Sequence, residues 1–256
     1  GKVCIYLHGN AAFCGRCLCH FGQLTIIFQA PVMIITISQT ASNLKQSYDV
    51  TGEGFYYSGN AGSVSRLQPI TLSSKDNTIK GVYRPSKWTS HLPLCHWFGV
   101  PNITREFQLS KNGQSHGTIV LSKHGFLKSN YAIALDGGES FHCYFLSRAS
   151  YNYVSIYRGE TQIALVETYL SVNDYKYTHK LYLLEEYRPY ADVLSFFVIY
   201  YASYHFARRM HMTLGSVKEK SWSASRNADK YDPHWRGKHF PEENFFGKTD
   251  PFDLPS

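Results

Sequence analysis

A chain of 256 residues, 43% of them hydrophobic, is long enough to bury a sizeable core, and its length suits one domain with extensions. The formal charge of +7 is spread almost evenly, as +2 over residues 1–50, +3 over 51–205 and +2 over 206–256, so no stretch forms the basic stripe that neutralises many phosphates. Nucleic acid is therefore not an expected partner, and an aromatic content of 16% favours half-buried strands.

Residues 1–50 read as a poorly defined N-terminal extension. Four of the six cysteines lie in the first 19 residues, leaving Cys95 and Cys143 for the rest of the chain. Disulfide-dependent domains are small and Cys-dense, so a reducing, cytoplasmic compartment is expected. Cys14, Cys17, Cys19 and His20 are too close along the chain to wrap a metal, and no metal is expected. Beside the apolar run Leu24 to Ile37, Cys14, Cys17 and Cys19 are candidate acylation sites. That run has 14 residues and contains Gln29 and Pro31. A spanning helix needs roughly 20 apolar residues, so no transmembrane anchor is expected there. The polar stretch Ser38 to Ser47 reads as a linker.

From Phe55 the texture becomes short alternating segments separated by turn residues. Pro69 to Leu72 and Thr78 to Arg84 flank Lys75-Asp76-Asn77, and Glu106 to Leu109 and His116 to Leu121 flank Lys111-Asn112-Gly113. Asn-Gly is a strong hairpin signal because both residues tolerate positive φ. The pattern runs on through Phe126 to Leu135, Phe141 to Leu146, Tyr153 to Tyr157, Gln162 to Tyr169 and Tyr177 to Leu184. Asp136-Gly137-Gly138 and Arg158-Gly159-Glu160 supply turns. Regular short strands without alternating long helices predict a sandwich or barrel.

Helical character begins abruptly at Pro189, with Asp192 near the positive end. From Val193 to Tyr201 nearly every position is apolar or aromatic, so residues 189–206 predict a helix with no face for water, buried in the domain. Residues 207–256 are polar and read as a mostly flexible tail that docks locally.

Chemistry-bearing patterns are sparse. No P-loop, G-x-G-x-x-G or H-E-x-x-H occurs, and no cofactor is expected. Leu7-His8-Gly9-Asn10-Ala11 with Gly113-Gln114-Ser115-His116-Gly117 imitates the oxyanion loop and nucleophile elbow of α/β-hydrolases, making an esterase using Ser115 the enzymatic alternative. The turn chemistry before Ser115 favours a hairpin instead. Arg84 and Lys87 flank Pro85 near Trp88, and Lys123 and Lys128 flank Phe126-Leu127. Basic residues beside aromatics suit an anionic lipid head group at a membrane surface.

The segments Gly117 to Tyr131, Tyr157 to Val166, Tyr177 to Leu184 and Ala191 to Tyr200 resemble, in that order, the tubby C-terminal-like superfamily, which includes bacterial tubby-like, LURP-one-related and scramblase-type proteins. The resemblance covers about Phe55 to Phe206 and implies a closed antiparallel β-barrel of about twelve strands around a C-terminal hydrophobic helix. It also implies phosphoinositide binding, as in some members, and acylated cysteine clusters, as in scramblases. The expected organisation is thus an extension over 1–50, a mainly β barrel domain over 51–206 and a tail over 207–256. The expected function is a non-enzymatic module, peripheral at the membrane, that binds a membrane surface, an anionic lipid or a protein partner. A structural or regulatory protein without a lipid role, recruiting partners through its tails, is the third reading.

Overall fold

A computed structural model describes residues 32–42, 45–62, 69–84, 105–124, 128–148, 151–170, 176–205 and 227–241. Twelve strands follow one another as β1 (Val32–Ser42), β2 (Lys45–Gly52), β3 (Phe55–Gly62), β4 (Ile70–Ser73), β5 (Thr78–Arg84), β6 (Arg105–Lys111), β7 (Gln114–His124), β8 (Lys128–Leu135), β9 (Ser140–Arg148), β10 (Tyr151–Arg158), β11 (Thr161–Leu170) and β12 (Tyr177–Leu184). Each pairs antiparallel with its neighbours in sequence, and β1 pairs with β12 from Val32↔Leu184 to Ser38↔Thr178. The ladder therefore closes into an up-and-down barrel with no free edge.

The turns lie where the residue chemistry puts them. Asn112 and Gly113 adopt φ of 52° and 82°, the positive values a two-residue hairpin turn demands, and Gly138 and Gly159 adopt 89° and 57°. After β12 the chain makes a 3₁₀ turn, Glu185–Tyr190, which contains Pro189, and then enters helix α1 (Ala191–His205). The α-helix starts two residues later than Pro189 because buried Tyr187 and the Arg188 guanidinium, which donates to the Glu53 carbonyl at 2.9 Å, hold the tighter turn against the barrel end.

Helix α1 is buried from Ala191 to Ile199 and again at Tyr201 and Ala202. It is enclosed by inward-facing strand residues such as Ile35, Val50, Leu72, Ile79, Leu109, Ile119, Ile133 and Leu181, all fully buried. Small residues make room for its larger ones. At Gly59 a Cβ would stand 2.4 Å from Ile199, and at Gly81 it would stand 2.1 Å from Phe107 and 2.6 Å from Phe196. At its start, Lys111 of β6 meets Asp192 at 2.6 Å, which anchors the helix where its exposed N–H groups favour a carboxylate.

Two expected boundaries are corrected. The barrel begins at Val32, not at residue 51, and the stretch Ser38 to Ser47 lies almost wholly in β1 and β2 rather than in a linker. Its polarity is misleading because two amides point inward with partners: Gln39 accepts the Tyr177 N–H at 3.2 Å, and Gln46 accepts the Tyr48 hydroxyl at 2.7 Å. Satisfied amides cost little when buried, so a polar strand survives in the wall. At the other end, residues 227–241 dock on the barrel and bury Trp235 and Phe240. They contain a second, short helix, α2 (Trp235–His239).

Inside the same polar sector His179 is completely buried, with Nδ1 2.9 Å from the Thr168 hydroxyl. Burial lowers its pKa from 6.5 to about 3, so the folded protein holds it neutral. Because the unfolded chain takes up this proton first, stability falls as pH drops below 6.5, by about 1.4 kcal/mol per unit until the folded pKa is reached. Urea midpoints measured from pH 7 to 4 should show that decline in the wild type and a clearly shallower one in His179→Gln.

Candidate functional site

In an up-and-down barrel, successive turns alternate between two ends. One end carries the turns at residues 53–54, 74–77, 112–113, 136–139 and 159–160, with the 3₁₀ turn and the start of α1. The opposite end carries the last residues of β1, β3, β5, β7, β9 and β11, the first residues of β2, β4, β6, β8, β10 and β12, and the end of α1 at His205.

This alternation sorts the charges. Among the described residues of the barrel and α1, the turn end holds Glu53, Asp76, Asp136, Glu139, Glu160, Glu185, Glu186 and Asp192 against Lys75, Lys80, Lys111, Arg158 and Arg188. Within two residues of the strand termini at the opposite end stand Lys45, Arg84, Arg105, Lys123, Lys128, Arg148 and Lys176, against Glu106 alone. One end is thus net acidic by three and the other net basic by six, although no stretch of sequence concentrates charge. The macrodipole of α1 runs opposite to this polarity, so its positive start lies among the carboxylates and its negative end at the basic rim.

The residues singled out in the sequence fall unevenly on this map. Arg84 ends β5, exposed and opposite Glu106 in the ladder, and Lys123 and Lys128 stand on either side of the β7–β8 connection. All three positions belong to the basic end. Lys87 and the acylation candidates Cys14, Cys17 and Cys19 lie outside the described residues. Lys45, Arg105, Arg148 and Lys176 were not singled out, since each is a lone basic residue in its stretch and only the barrel's alternation groups them.

Beneath the basic rim the barrel is filled. Tyr131 is buried, with its hydroxyl 2.9 Å from Nε2 of His205, and packs edge-on against Phe197, Tyr200, Tyr201 and His205 at centroid separations of 5.6 to 6.2 Å. Phe145 lies 5.5 Å from the His205 ring. An aromatic plug therefore backs the rim, and an anion bound here would sit across the strand ends rather than inside the barrel.

The fold gives Ser115 no nucleophile elbow, and Leu7 to Ala11 lie outside the described residues. Ser115 is the second residue of β7, directly after the Asn112-Gly113 turn, and its hydroxyl donates to Asp136 at 2.7 Å in an exposed setting. A nucleophile elbow requires a strand before the serine and a helix after it, whereas Ser115 leads into a strand of an all-antiparallel barrel. Among the described residues, no group of three or more His, Cys, Asp or Glu is placed to hold a metal ion, and no helix is long and apolar enough to cross a membrane.

No protein-family model, curated protein or solved structure matches the chain.

Proposed function

We propose that this chain is a non-enzymatic, tubby-like module that binds an anionic membrane surface through the basic end of its barrel. The observation that carries the reading is the segregation of charge, with seven Lys or Arg against one Glu at the strand termini of one end. Anionic head groups attract such residues by about 1 kcal/mol for each Lys or Arg near the surface, so the seven together supply about 7 kcal/mol towards reversible peripheral binding. The turn end, carrying the excess of carboxylates, would face away from the membrane. Arg84, Lys87, Lys123 and Lys128 are the head-group contacts the sequence singles out, and the other basic termini extend them around the rim. Acylation of Cys14, Cys17 and Cys19 would add a hydrophobic anchor to this electrostatic one.

Co-sedimentation with vesicles of phosphatidylcholine alone, and of phosphatidylcholine with phosphatidylserine, tests the proposal. Binding is expected only to the second, and it should disappear as salt approaches about 1 M, where screening falls to roughly 3 Å. Equal binding to both vesicles, or none to either, would refute it. Tighter capture by duplex DNA than by the anionic vesicles would redirect the basic end to nucleic acid.

A further inference from the structure

The outer face of β9 to β12 has a different character from the rest of the barrel exterior. Gln162 to Thr168 are buried on both faces of β11, because residues 227–241 cover the outside. This covering owes nothing to the ladder: the barrel closes without it, and the backbone–backbone hydrogen bonds recorded for residues 227–241 run within the segment.

The attachment is made by side chains. The Asn227 amide donates to the carbonyls of Ser129 and Phe145 at 3.3 and 3.0 Å, beyond the point where the β8–β9 ladder stops at Tyr131↔Cys143. Trp235 is 5% exposed and donates its indole N–H to the Gln162 carbonyl at 3.2 Å, beside the register shift in the β10–β11 pair. Arg236 lies 3.5 Å from Glu167 and over the Tyr182 ring, and Tyr182 also donates to Glu167 at 3.3 Å. Phe240 meets the other side of this patch, 5.1 Å from Tyr182. Nearer the turn end, Lys230 reaches Glu160 at 3.4 Å and lies over Tyr144 and Tyr157.

Tyrosine walls with a carboxylate floor form a site for an aromatic residue next to a cation. Glu167 lies opposite Tyr153 and Lys180 in the ladders and accepts from Tyr182, so the outer face offers a carboxylate beside aromatic rings, a fitting ligand for an arginine. The covering segment is in chemical terms a bound peptide: short, held by anchors and joined to α1 through residues 206–226. We propose that the outer face of β9 to β12 is a recognition groove for a linear segment of the form Trp-Arg-x-x-x-Phe. Residues 227–241 occupy it in cis, and a partner segment of the same chemistry takes their place when they leave. The groove starts at the basic end, where Asn227 is held, and runs along the barrel wall, and its recognition uses Glu167 and the aromatic rings rather than the basic side chains.

A fluorescent peptide of residues 227–241 tests the groove on the full-length chain. The double variant Trp235→Ala/Arg236→Ala, which disables the cis occupant, should bind the peptide at least tenfold more tightly than the wild type. Adding Glu167→Gln to that variant should reverse the gain by at least tenfold. A disabled chain that binds no better than the wild type, or binding insensitive to Glu167→Gln, overturns the proposal. Should the variants fail to fold, hydrogen exchange in the wild type decides. The Trp235 indole N–H should exchange at least a hundredfold faster than the Val166 amide of β11, whereas equal rates would make the segment inseparable from the fold and overturn the groove.

Discussion

Replacing Phe197 by alanine is expected to destabilise the protein by about 3–5 kcal/mol, the loss typical of truncating a fully buried Phe. Phe197 has no solvent exposure and lies on the helix around which the barrel closes. Its ring meets Tyr131 edge-on at 5.6 Å and Tyr201 at 6.2 Å, so truncation removes one wall of the aromatic plug as well as the burial of the ring itself. The neighbours are strand and helix side chains whose backbones are fixed by a closed ladder, and the cavity has little means of collapse. Urea unfolding of the variant checks this. A loss below about 1 kcal/mol would mean that α1 is not packed as an axle, since even one buried methylene is worth about that much.

The second large effect belongs to the wall. Gly117 sits in β7 at φ 150°, and a Cβ there would lie 2.3 Å from the Ala134 carbonyl oxygen and 2.9 Å from the Leu135 Cα. Both obstacles are backbone atoms of the paired strand β8, so no rotamer change relieves them, and the β7–β8 ladder has to part. Gly117→Ala is therefore expected to cost about 2–5 kcal/mol, combining overpacking with backbone strain. Gly113→Ala supplies the control, because Gly113 also has positive φ, at 82°, but nothing within 4 Å of the added atom. It should cost only the conformational term, about 1–2 kcal/mol. Thermal or urea unfolding of the two variants separates them, and equal losses would contradict the close approach at Gly117.

The two variants also show which parts of the fold the sequence makes legible. Turn residues such as Asn112-Gly113 and Asp136-Gly137-Gly138 mark their hairpins because positive φ is a local requirement. The helix is legible for a complementary reason: a stretch with no polar face admits only a buried position. Strands β1 and β2 were hidden because Gln39 and Gln46 face inward, and their burial depends on Tyr177 and Tyr48, partners that no local pattern displays. Residues 227–241 read only as part of a tail that docks locally, and where they dock stays hidden, since Asn227, Trp235, Arg236 and Phe240 are anchors spaced to fit outer-face positions of other strands rather than any helical or strand period.

The candidate site was legible in part. Arg84, Lys123 and Lys128 attract notice because they lie near aromatic residues in sequence. Lys45, Arg105, Arg148 and Lys176 do not, yet the topology gathers them at the same end. Splitting the chain into linear blocks averages the two barrel ends together, because each hairpin contributes to both, and a strongly polarised molecule then looks evenly charged.

Two double variants with the same net charge test that polarity most directly. Arg84→Glu/Lys128→Glu reverses two charges at the basic end, and Lys75→Glu/Arg158→Glu reverses two at the turn end, so each lowers the formal charge of +7 by four. Binding to vesicles containing phosphatidylserine should fall at least tenfold for the first pair and stay within about twofold of the wild type for the second, following the loss of about 1 kcal/mol for each Lys or Arg near the membrane. Equal losses for the two pairs would show that only net charge matters, and would contradict a membrane-binding end.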